Sequence, residues 1–162
     1  FVKQMNQAGL LPKTPLYSVF TVDGTTLPSL QGAAAGTVSG AMWDASLDTP
    51  ENKKFVAAFQ AKYKRVPSEY AAAAYDAGRL LDTAIRKAGA QATDKRVLAA
   101  AVKASGAEFK SVRGPFRFNK NNMPVQNYYA FQVASEGGKP VVKMVGTPLA
   151  AQADSYQAKC GL

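Results

Sequence analysis

Histidine is missing from the 162-residue chain, and cysteine and tryptophan occur once each. Without imidazole there is no ready general base, no ready activator of a hydroxyl or thiol nucleophile, and none of the commonest transition-metal ligand. A single cysteine excludes a thiolate zinc site built within the chain. Cys160, close to the end, reads either as half of a disulfide to sequence outside this chain, which would suit an oxidising compartment, or as a free thiol. No apolar run approaches the roughly 18 residues of a membrane-spanning helix. A G-x-S-x-G order is also lacking, since "GTVSGA" spaces its glycines differently, and no phosphate-loop pattern occurs. These absences point away from an enzyme and away from any metal or organic cofactor.

Acidic residues are the scarcer charge, 11 against 20 Lys and Arg, for a net charge of +9. Contact with nucleic acid, attraction of an anionic small ligand, or plain solubility would each fit that balance. The cations are scattered along helical stretches at Lys53, Lys54, Lys62, Lys64, Arg65, Arg86, Lys87, Lys95 and Arg96, without the interleaved aromatics that single-strand binding favours. The reading is a solvated basic surface and no nucleic-acid partner.

What is present is a well-punctuated order of elements. "FVKQMNQAGL" looks like the last turns of a helix, with Phe1, Val2 and Met5 on one face and Gly9 as its stop. Because no cap precedes it, the chain is expected to be a portion of a longer protein, with any export signal outside it. Tyr17–Val22 is β-rich and runs into a loop at "DGTT". Thr49, Pro50 and Glu51 open a helix carrying Phe55, Phe59 and Tyr63 at i, i+4 and i+8. Ser68 caps a second, alanine-rich helix ending at Gly89, with Leu81, Ala84 and Ile85 on its apolar face. A third runs from about Thr93 to Ser105. Alternation then returns at Phe116 and Phe118, in "QNYYAFQVAS" and in "PVVKMVG", with "EGGK" as a hairpin turn; "TPLAAQADSYQAKCGL" reads as a tail. Strand, three helices and more strands make an α/β protein with too few strands to complete a doubly wound sheet.

The stretch "VPSEYAAAAYDAGRLLDTAIRKAG", preceded by "NKKFVAAFQAKYK" and followed by "SVRGPFRFN", resembles the C-terminal half of periplasmic ligand-binding proteins of the branched-chain amino acid ABC transporter type, and most of all those that carry benzoate or hydroxycinnamate derivatives. The resemblance covers about Phe1 to Gly146. It implies the two-lobed type I periplasmic binding protein fold, a "Venus flytrap" closing on ligand between its lobes. Residues 1–42 and 127–146 would belong to the second lobe and 48–121 to the first. Segments 43–47 and 122–126 would be hinge crossings, and 147–162 a C-terminal tail. The partners implied are a small ligand (aromatic acid or amino acid), a membrane permease and the absent N-terminal half, and the location implied is periplasmic. A sensory ligand-binding domain of a signalling protein is the alternative on the same fold.

The resemblance also implies a site. Asp23 falls where amino-acid-binding relatives place an acid that pairs with the ligand's ammonium group, though Glu is commoner there; with an aromatic acid it would accept from a phenolic hydroxyl. Its competing role is to stabilise an Asx turn before Gly24. Tyr70 falls at an aromatic position of the pocket wall, where it would stack on a flat ring. Phe20 and Trp43 are further wall candidates, and Thr25, with Thr26, would offer hydroxyls at the loop mouth. Arg113 and Arg117 are read as surface charge.

Overall fold

In the computed structural model, which describes residues 1–11 and 13–160, helix α1 (Val2–Gln7) leads into a mixed α/β arrangement. Strand β1 (Tyr17–Val19) pairs in parallel with β2 (Val38–Ala41), and the short helix α2 (Leu27–Leu30) with a 3-10 turn (Gln31–Ala34) connects them. Three helices follow: α3 (Pro50–Tyr63), α4 (Glu69–Ala88) and α5 (Lys95–Ser105). The chain closes with β3 (Phe116–Phe118), β4 (Pro124–Glu136) and β5 (Lys139–Gln152).

The helix starts follow from local chemistry. The Thr49 side chain accepts from Asn52 N–H, the Ser68 side chain from Ala71 N–H, and the Asp94 side chain, at the start of α5, from Arg96 and Val97 N–H. Gly137 and Gly138 both take positive φ, +56° and +77°, as the two-residue β4–β5 hairpin requires.

Strand β4 organises the sheet. Its first residues pair with β3, Gln126 opposite Phe116, and its later ones with β2, Gln132 opposite Val38. Strand β5 runs along it throughout, with register shifts between Gln126 and Phe131. β2 and β3 therefore succeed one another along β4. Two cores sit on this frame. Trp43, Leu47, Phe55, Ala72, Val112, Tyr129 and Phe131 join α3 and α4 to β4; Val2, Val22, Leu27, Ala34 and Val133 join α1 and α2 to its later part. Among the described residues no helix is long and apolar enough to cross a membrane.

Four expectations need correction. The first strand stops at Val19 instead of Val22, because Phe20 turns to φ +55°. Residues 147–152, read as tail, continue β5, since pairing to β4 outweighs their weak hydrophobic pattern. On α4 the deeply buried positions are Ala72, Asp76 and Ala84, while Leu81 and Ile85 stand about half exposed. Arg113 is no surface charge. It is 14% exposed; its Nε lies 3.0 Å from the buried Asp76 carboxylate, and its terminal nitrogen donates to Gln126 Oε1 at 3.0 Å. Asp76 also receives Ser111 Oγ–H at 2.5 Å and Val112 N–H at 3.0 Å. That pair ties α4 to the turn before β3 and, through Gln126, to β4.

Candidate ligand-binding site

The loop after β1 carries three of the predicted residues, Phe20, Asp23 and Thr25. Asp23 performs the turn role: its Oδ1 accepts from Thr25 N–H (2.9 Å), Thr25 Oγ1–H (2.8 Å) and Thr26 N–H (2.9 Å), and Leu27 N–H bonds to its carbonyl (2.9 Å). Among the described residues no hydrogen bond reaches Oδ2, so half of the carboxylate is left for another donor. Thr25 is engaged in holding Asp23. Phe20 combines a 51% exposed ring with a left-handed backbone, which costs a bulky residue of the order of 1–3 kcal/mol and persists only where surrounding structure enforces it.

Facing this loop is the entry to α4. Gly24 approaches Val66, in the connector between α3 and α4, so closely that a Cβ on the glycine would stand 3.1 Å from Val66 Cγ1. Glu69, in the first turn of α4, accepts Met42 N–H at 3.1 Å. Burial raises its pKa, with the charges of Asp23 and Asp44 adding to the rise against the Met42 bond and the charge of Arg113. Burial also raises Asp44, opposed mainly by its bonds to Ser46. Asp23 and Asp44 thus both act on Glu69, and Asp23 acts on Asp44, while no local residue pattern singles out Asp44 or Glu69. Tyr70, the neighbour of Glu69, is 83% exposed. Its ring belongs to neither of the two buried clusters. Among the described residues no three such side chains are arranged to hold a metal ion.

Trp43 departs from the predicted wall. It is 3% exposed, packs edge-on to Phe55 with ring centres 6.0 Å apart, and donates from Nε1 to Asn52 Oδ1 at 2.6 Å. An indole buried with a partner for its N–H is a core group. A concavity of about 670 Å³ lies elsewhere, between α5 and β3, lined by Leu98, Val102, Phe118 and Asn122 among others; it contains none of the site candidates.

The family model described as "Periplasmic binding protein" matches residues 1–139. Among solved structures, a solute-binding protein of an ABC transporter from R. palustris in complex with benzoate is 32% identical, covering 100% of this chain and 42% of its own, with a TM-score of 0.84. One from Rhodopseudomonas palustris HaA2 in complex with p-hydroxybenzoic acid is 32% identical over 99% of this chain and 44% of its own, TM-score 0.84. Another, from Rhodopseudomonas palustris BisB5 in complex with 3,4-dihydroxybenzoic acid, is 30% identical over 96% and 42%, TM-score 0.82. Among curated proteins no sequence matches. The chain thus spans well under half the length of these solved relatives.

Proposed function

The chain belongs to the periplasmic binding protein family, and from that premise we propose that it contributes part of each side of a cleft that captures a small aromatic acid in the periplasm for an ABC importer. The observation that carries this reading is the identity of at least 30%, over 96% or more of the chain, to three solute-binding proteins seen with benzoate or its hydroxylated forms. Residues 43–47 and 122–126 serve as the crossings between lobes, and closure about them traps the ligand. Closure is favoured because the ligand touches both sides only in the closed state.

Each cleft residue has a definite task. Tyr70 and Phe20 offer rings to the flat ligand, each such contact adding about 0.5–1.5 kcal/mol beyond burial. Asp23 Oδ2 accepts a phenolic O–H, a charge-assisted bond contributing about 1.5–3 kcal/mol. With Asp23, Asp44 and Glu69 gathered at this end, a ligand carboxylate must point away from them. The hydroxyl end of a hydroxybenzoate is the end that belongs here.

The same three carboxylates favour a second reading, an amino acid whose ammonium group they would hold. One experiment separates the two: thermal shift of the intact protein with 4-hydroxybenzoate, benzoate and leucine, beside an Asp23→Asn variant. Asparagine keeps an Oδ1 acceptor for the Thr25 and Thr26 bonds, so the loop survives while the charge goes. Ligand at 100 times its dissociation constant stabilises by about 2.7 kcal/mol. The aromatic reading expects a rise with 4-hydroxybenzoate that shrinks in the variant, and a rise with benzoate that does not. A rise with leucine alone, abolished by the variant, would establish the second reading and overturn the first.

A further inference from the structure

Gly24 is a glycine whose backbone does not call for one. Its φ lies outside the left-handed region, unlike those of Gly9, Gly36, Gly89, Gly114, Gly137 and Gly138. The Asx turn is closed by Asp23, Thr25 and Thr26, and position 24 contributes no side-chain bond to it. What a side chain at 24 would meet is one residue, Val66, with Cγ1 at 3.1 Å from the ideal Cβ and Val66 Cβ at 3.9 Å. The first of these is tighter than an ordinary van der Waals contact.

Neither side of this contact is free to yield. Val66 is β-branched, which stiffens its side chain, and it precedes the fully buried Pro67, which confines its backbone to extended conformations. Its connector is fixed at both ends, by the left-handed Lys64 whose N–H bonds to Gln60 O at 2.9 Å and by the Ser68 cap of α4. The Gly24 loop is fixed by the Thr25 and Thr26 bonds to Asp23 and by Leu27 N–H. The partners also belong to different cores: Val22 and Leu27 flank Gly24 in one, whereas Phe55 and Ala72 belong to the other, on the helices either side of Val66.

We propose that Gly24 against Val66 is the stop at which the two sides of the cleft meet, so that the bare Cα of residue 24 sets how far the cleft closes. This rests on the closure reading given above and adds to it a residue whose role is spacing rather than ligand contact. A methyl group at 24 wedges the two rigid loops apart, and trimming Val66 makes room for it again.

The test uses the intact protein with Gly24→Ala, Val66→Ala and the double substitution. Spin labels at Ser29→Cys and Lys62→Cys, in a Cys160→Ser background, report the separation of α2 from α3 with and without 4-hydroxybenzoate. Calorimetry with 4-hydroxybenzoate reports affinity. Gly24→Ala should lengthen the label distance and weaken binding roughly tenfold, the consequence of overpacking by one methyl group. The double variant should return to within about twofold of Val66→Ala alone, the non-additivity expected of residues in contact. An unchanged distance in Gly24→Ala, or a change that Val66→Ala fails to relieve, overturns the proposal; a misfolded Gly24→Ala that the second substitution does not rescue counts the same way. Failure of the wild type to bind any aromatic acid would sink the ligand assignment alone, and the label distances would still decide this inference.

Discussion

Replacing Asn52 by alanine removes the side chain that holds the segment leading out of β2. Asn52 is fully buried; its Oδ1 accepts from Trp43 Nε1, and its amide group faces the carbonyls of Leu47 (3.0 Å), Ala45 (3.2 Å) and Asp44 (3.3 Å). The substitution strands the indole N–H in the core and takes its donor from the Ala45 carbonyl, while the Asp44 and Leu47 carbonyls keep the N–H groups of Leu47 and Thr49. Each buried group left unsatisfied costs about 1–3 kcal/mol, so the total loss should be about 4 kcal/mol. Asn52→Asp, nearly isosteric, separates lost bonds from a lost volume: its carboxylate turns acceptors toward the same carbonyls and should be no less damaging than alanine at neutral pH. Urea unfolding of the intact protein, followed by Trp43 fluorescence and circular dichroism, measures both. A loss below about 1 kcal/mol for alanine, within the range of an ordinary surface substitution, or a fully tolerated aspartate, would mean that the Asn52 bonds do not hold this segment.

Other substitutions probe the same frame. Asp76→Asn should cost about 3 kcal/mol in urea unfolding, because it leaves the largely buried Arg113 without its counter-charge, whereas a cost near zero would mean that the pair is dispensable. Phe20→Gly should stabilise the fold by about 0.5–1 kcal/mol by relieving the left-handed backbone, and should weaken 4-hydroxybenzoate binding; a stabilised variant with unchanged affinity would remove Phe20 from the pocket. Because burial raises Glu69 above its ordinary 4.5, the folded state holds the proton more tightly than the unfolded state, and stability falls as pH rises from that value through the folded pKa. Glu69→Gln should therefore be the more stable protein at pH 7, with the difference vanishing as pH drops below the ordinary carboxylate value, checked by melting temperature across pH.

Local chemistry made much of the fold legible. Thr49 with Pro50, Ser68, and the glycine pair at 137–138 act within a few residues of themselves, so helix starts and the hairpin could be read directly. The departures share a different cause, which is distance along the chain. Trp43 looks like a wall residue until its indole meets Asn52, and Arg113 looks like surface charge until it meets Asp76, 37 residues earlier. The end of β5 is set by its register on β4, not by its own pattern. Phe20 carries strand propensity on both sides, and only the backbone reveals its strain. Asp23 was open between two roles, and the structure gives one oxygen to the turn and leaves the other without a partner among the described residues.

The most direct measurement is a crystal structure of the intact protein grown with 4-hydroxybenzoate. The aromatic ring should lie beside Tyr70 and Phe20, its phenolic oxygen about 2.5–3.0 Å from Asp23 Oδ2, and its carboxylate should point away from Asp44 and Glu69. A ligand bound with its carboxylate toward those acids, or bound outside the cleft with Asp23 beyond hydrogen-bond reach, would contradict that placement.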